Sequence, residues 1–249
     1  MRRGYAVAVD GPITIDAGLF AQAGWVKVQV RDDCTRAMVG VSTTDDEGPS
    51  AAAVQAAIVE PGPAGELLIT VHGRNGATPV EITVVAPPGS ILKARTDSAS
   101  IGAIGLAEVE LISKSGDVFV PEAGRVFAET TSGKVTVRQA ADITVTSQSG
   151  AISVGTGQRV AVRTESGGIF VGASSGEVTA KSISGHLTIR DFQGGSIRAD
   201  TTSGAIAIHA TANGTVRAGT VSGAITITAA PGVSLDLKTS TATGQVTAP

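Results

Sequence analysis

Aromatic side chains are scarce in this chain: one Trp, one Tyr and five Phe among 249 residues. A core built on rings is excluded, because so few cannot fill one. Cysteine is rarer still. Cys34 stands alone, so no disulfide can form within the chain. No apolar run approaches the roughly 20 residues that a membrane-crossing helix needs. After Met1, Arg2 and Arg3, the apolar stretch Tyr5–Val9 stops at Asp10. That is too short for the apolar region of a secretory signal, and on this ground the chain reads as cytoplasmic. An excess of positive charge is also missing. The 19 Lys and Arg against 22 Asp and Glu leave a net −3, which predicts no nucleic-acid partner. Disorder is excluded too, since 42% hydrophobic with 16% charged is not its signature.

What is abundant is glycine, 32 residues of it, and much of it recurs on a period. Equivalent positions fall at Ala99, Gly116, Gly133, Gly150, Gly167, Gly185, Gly204, Gly223 and Gly244. Two residues after each stand Ile101, Val118, Val135, Ile152, Ile169, Leu187, Ile206, Ile225 and Val246. Seven before each stand Leu92, Val109, Val126, Ile143, Val160, Val178, Ile197, Val216 and Leu237. These apolar columns alternate with polar or small residues, the period of a strand with one buried face. Each unit thus holds two short strands joined at a Ser-Gly corner. Units this short cannot bury their apolar faces alone, and stacking them does so. The expected fold is all-β: a single-stranded parallel β-solenoid of about nine short coils over residues 89–249.

Hydroxyl side chains stand one and three residues before each corner position, from Ser98 and Thr96 to Thr243 and Thr241. Such side chains bond backbone at turns. Eight residues before it stand Glu108, Arg125, Asp142, Arg159 and Glu177, alternating in sign through five successive units. Opposite charges on neighbouring strands stabilise and like charges oppose, so this column reads as a structural ladder that favours one stacking register.

Residues 1–88 do not follow the repeat. Alternating segments at Tyr5–Val9, Ile13–Ile15, Trp25–Val30, Met38–Val41, Leu67–Val71 and Val80–Val85 read as strands. Ser50 ahead of the Ala51–Ile58 stretch reads as the N-cap of a short helix. The region is expected to be a β-rich cap, because an exposed parallel edge recruits other chains. The run from Val80 to Gly89, followed by iterated Ser-Gly-x-Val/Ile-x-Val/Ile units, resembles the bacterial β-strand-repeat family labelled "putative adhesin". The resemblance covers nearly the whole chain. It implies a role in surface binding or a link to envelope stress, and it brings no motif residues.

No motif in the sequence carries chemistry. His72, His186 and His209 share no column, and no Cys or carboxylate cluster joins them, so neither metal nor cofactor is expected. Cys34 lacks a partner His. Glu110 and Glu129 are the nearest approach to a paired-carboxylate site of a polysaccharide-acting enzyme, with no Asp cluster to support them. A non-enzymatic scaffold or interaction protein is therefore expected, its partner being itself or another protein, with a surface glycan as the alternative. Phe119, Phe127 and Phe170 fall at outward positions and are candidate contacts. Gln245, Val246 and Thr247 form the last predicted strand, whose edge is a candidate for self-association.

Overall fold

The computed structural model describes residues 1–73 and 78–249. The chain divides into two compact units, Met1–Gly133 and Lys134–Pro249. In each the parallel β-solenoid expected from the repeat is present.

The first unit contains β1 (Arg2–Ala8), β2 (Thr14–Phe20), β3 (Gly24–Val30), β4 (Arg36–Thr43), α1 (Pro49–Gln55), β5 (Ile58–Pro61), β6 (Glu66–His72), β7 (Val80–Ala86), β8 (Ile91–Thr96), β9 (Ser100–Ser113) and β10 (Val118–Thr130). The parallel stack reaches further toward the N-terminus than the Ser-Gly spacing reveals. β2 lies between β6 and β8, and β3 lies between β7 and β9, all parallel. The turn β2–β3, first in sequence, is thus sandwiched between the turns β6–β7 and β8–β9. Register puts Ile15 between Leu67 and Leu92, and Val26 between Ile82 and Ile101. All six are at most 1% exposed. Burying each stabilises by about 1.5–3 kcal/mol.

Antiparallel strands close this stack. β4 pairs with β7, β1 with β4, and β5 with β6. They cover edges of β6 and β7 that would otherwise offer unpaired backbone. The expected helix forms, but Ser50 does not cap it. Pro49 opens α1 behind Gly48, because a ring without an N–H suits the first helical position. Ser50 therefore sits inside the first turn, buried, and donates its hydroxyl to the Thr78 carbonyl at 2.8 Å.

The second unit contains three long strands, β11 (Val135–Ser147), β12 (Ile152–Thr164) and β13 (Ile169–Ser182). Shorter ones follow: β14 (Leu187–Phe192), β15 (Gly195–Ser203), β16 (Ile206–Ala210), β17 (Gly214–Ser222), β18 (Ile225–Ala229), β19 (Leu235–Thr243) and β20 (Val246–Thr247). All pair in parallel. Extra residues between β14 and β15, β16 and β17, and β18 and β19 account for the lengthening of the period. Val135, Ile152, Ile169, Leu187, Ile206 and Ile225 form one continuous file, each at most 2% exposed.

The corners explain the glycine column. A Cβ on Gly167 would run into the backbone carbonyl of Gly150, and one on Gly185 into that of Gly167. Close approach of successive turns, rather than a left-handed backbone, is what requires glycine there. The hydroxyl three residues earlier serves the same corner. Thr164 Oγ1 accepts from the Gly167 amide at 3.0 Å and Ser147 Oγ from that of Gly150 at 2.8 Å. In the first unit Ser113 Oγ donates to the Gly116 carbonyl at 2.9 Å.

Candidate functional site

Inward residues fill the turns, so any contact chemistry falls to the outward ones. On β3 these are Trp25, Lys27 and Gln29, because successive side chains alternate between faces. Parallel pairing aligns them with Glu81, Thr83 and Val85 of β7 on one side. On the other side they meet Ser100, Gly102 and Ile104 of β9. Phe119 of β10 lies opposite Gly102. One row therefore reads Thr83, Lys27, Gly102, Phe119, and Gly102 contributes no side chain to it.

The result is a notch of about 280 Å³. Gly102 lies at its floor, and Trp25, Lys27, Ile104 and Phe119 form its walls. A Cβ on Gly102 would touch nothing closer than Lys27 Cγ at 4.0 Å, so the floor is open. Trp25 is 45% exposed, Ile104 46% and Phe119 37%, a cluster of large apolar groups left at the surface. The rim is polar. Lys27 ion-pairs with Glu81, and its Nζ lies 5.6 Å from the centre of the Trp25 ring. Thr83 directs its hydroxyl to the Gly40 carbonyl at 3.4 Å. Gly105, directly after Ile104, adopts φ +74°, a left-handed conformation that glycine suits.

Of the sequence candidates, Phe119 lies in this notch. Phe127 is equally exposed but sits in the later half of β10, opposite Glu110. Phe170 of β13 is half-buried between Ser153 and Thr188. Glu129 lies opposite Ile112, so Glu110 and Glu129 sit diagonally rather than face to face. Val246 is 42% exposed, and Gln245 and Thr247 are exposed beside it.

The charge column forms ion pairs within each unit. Arg125 reaches Glu108 at 3.2 Å. Arg159 grips both oxygens of Asp142 at 2.6 and 2.7 Å and stands opposite Glu177. Its guanidinium pKa is raised, first by the bond to Asp142 and then by the charges of Asp142 and Glu177. A separate pair forms at a corner, where Asp97 meets Lys114 at 2.6 Å and accepts from the Ala21 amide at 2.9 Å. These bonds hold the Asp97 carboxyl below its usual range.

The histidines are tied individually. His72 stacks on Phe20 at 5.3 Å between ring centres. His186 Nδ1 accepts from the Ala205 amide at 3.2 Å, and His209 Nδ1 meets Thr228 Oγ1 at 2.8 Å. Among the described residues no group of three or more His, Cys, Asp or Glu is placed to hold a metal ion. Cys34 is half-buried, with its thiol on the Arg36 carbonyl.

Sequence reasoning missed Trp25, Lys27 and Gly102. The signal available was the only Trp of the chain at an outward strand position. Its meeting with Phe119 depends on β3 inserting beside β9, which nothing local encodes.

Parallel turns, aliphatic inward files and glycine corners define a parallel β-solenoid. Within that class the chain belongs to the Toastrack DUF4097 family, whose model matches residues 71–248. Among solved structures it is similar to a putative adhesin from Parabacteroides merdae, at 13% identity over 100% of this chain and 96% of that one, with a TM-score of 0.45. A putative adhesin from Parabacteroides distasonis is similar at 13% identity over 100% and 97%, TM-score 0.46. A putative lipid binding protein from the same species is similar at 13% over 98% and 96%, TM-score 0.39. No curated protein matches.

Proposed function

We propose that the protein is a non-enzymatic interaction module that grips a sugar ring of a glycan in the Trp25 notch. The observation that carries this reading is the open Gly102 floor between exposed Trp25, Ile104 and Phe119. A pyranose has an apolar C–H face and a polar rim. The notch offers apolar walls with Lys27, Gln29 and Thr83 at its edge, the lining typical of a small-ligand site.

A glycan array probed with the labelled protein tests the reading, together with Gly102→Val. Valine suits a strand and its Cβ would meet nothing closer than Lys27 Cγ at 4.0 Å, so the variant is expected to fold, which circular dichroism checks, while narrowing the notch. Saturable glycan binding lost in Gly102→Val is the expected result. Absence of glycan binding, or binding that the narrowed notch leaves intact, overturns it. A second reading, self-association through the strand edge at Gln245, Val246 and Thr247, is favoured by the exposure of Val246. A mass above the monomer in light scattering, reversed by Val246→Lys, supports it, and a monomer at all concentrations removes it.

A further inference from the structure

The net charge of the chain conceals an uneven distribution. Residues 1–133 hold ten Lys and Arg against sixteen Asp and Glu, a net −6. Residues 134–249 hold nine against six, a net +3. Such asymmetry between parts of a chain points to an anionic partner for the basic part.

In the second unit the basic side chains are concentrated on one face. Arg198, Arg217 and Lys238 stand directly opposite one another on β15, β17 and β19. Arg163 stands opposite Lys181 on β12 and β13, two residues along the same face. These five exposed cations run obliquely across five neighbouring strands, a strip of roughly 19 Å at the usual strand spacing. Only Arg198 has an acidic partner among the described residues, Asp200 at 2.9 Å. Arg163, Arg217 and Lys238 form no ion pair there, and Lys181 stands opposite that same Asp200. Glu177 stands opposite Arg159, and Asp236 sits at the margin beside Thr215.

Like charges directly opposite each other on adjacent strands are destabilising. The column beside this file reads Asp200, Gly219, Ser240, so the repulsion around Arg217 and Lys238 is not offset there. A fold that elsewhere alternates sign at neighbouring positions carries here three cations in a row. We propose that this strip binds a linear acidic polysaccharide, one bearing a carboxylate or sulfate on successive sugar residues.

The surroundings of the strip select that occupant. Single-stranded nucleic acid needs aromatic platforms for its bases, and none lies on this face. Phe192 is fully buried, and Phe170 lies in the earlier half of β13, which pairs with β14 rather than with β15. An anionic membrane would attract the same cations, so vesicles are the competing probe. Beside the cations stand Thr179, Asp200, Gly219 and Ser240, and the exposed Val221 lies two residues beyond Gly219 on the same face. A regular file of cations, one per strand, matches a stiff chain with regularly repeated anions.

The test titrates the full chain with polygalacturonate and with heparin, and uses dextran, oligothymidylate and phosphatidylserine vesicles as alternatives. Saturable binding to polygalacturonate or heparin, none to dextran, and a loss of about tenfold or more as salt rises to physiological levels is the expected result. Arg217→Glu/Lys238→Glu is expected to abolish it while keeping the native circular dichroism. Gly102→Val is expected to bind polygalacturonate normally, which separates this strip from the notch. No saturable binding to either polymer, or binding that the double variant retains, overturns the proposal. Tighter binding to oligothymidylate or to the vesicles overturns it in favour of nucleic acid or lipid.

Discussion

Two files of charge lie on one outward sheet face of the second unit and obey opposite rules. In the first, Asp142, Arg159 and Glu177 alternate, and Arg159 holds Asp142 through two bonds. In the second, Arg198, Arg217 and Lys238 share one sign. The backbone beneath is the same: parallel strands in register over aliphatic files. The first file is explained by folding alone, since a slip by one turn would set like against like. The second sets like charges opposite one another, with Asp200 bonded to Arg198 as the ion pair within it.

The largest expected effect breaks both files at once. Ile152 lies between Val135 and Ile169 in the inward file and is 1% exposed. Ile152→Asp buries a charge with no partner and costs at least about 3 kcal/mol. Loss of the folded baseline in circular dichroism, or a markedly lower urea midpoint, is the expected outcome. An unchanged midpoint would mean that the file is not a packed core.

A smaller effect extends the comparison to the first unit. Asp97 is held by Lys114 and by the Ala21 amide, which keep its folded pKa below the ordinary carboxylate value of 3.8. A depressed carboxylate contributes stability that is present above its unfolded pKa. That contribution is lost as pH falls through the folded value. The pair therefore weakens below pH 3.8 and not near neutrality. Lys114→Met removes the largest cause, so the Asp97 carboxyl titrates higher in an NMR titration. An unshifted titration would show that the Ala21 amide alone sets it.

The inward columns were legible because strand alternation and the Ser-Gly corner recur together, from Ile101 to Ile225. The corner glycines were legible as a need for close approach or unusual φ; the packing of Gly167 on Gly150 shows the first, and Gly223 and Gly244 combine close approach with a positive φ. The turns β2–β3 and β6–β7 were not legible as part of the stack. Ala21, Gln22 and Ala23 replace the Ser-Gly corner, and the order of turns in space departs from their order in sequence. The notch joins Trp25 to Phe119 by that same permuted insertion. The basic file was present in the aligned columns as Arg198, Arg217 and Lys238. Net charge hid it, because the acids of the first unit outweigh it in the total.

The central claim is that the alternating file stabilises the fold and the like-sign file opposes it. Thermal unfolding of Arg159→Glu and Arg217→Glu at low salt measures this directly. Arg159→Glu sets three acids in a row, and Arg217→Glu sets an acid between two bases. Opposite signs are expected, a lower Tm for the first and a higher Tm for the second, with both shifts shrinking in high salt. A lower Tm for both would contradict it, because the cations of the second file would then be holding the structure rather than waiting for a partner.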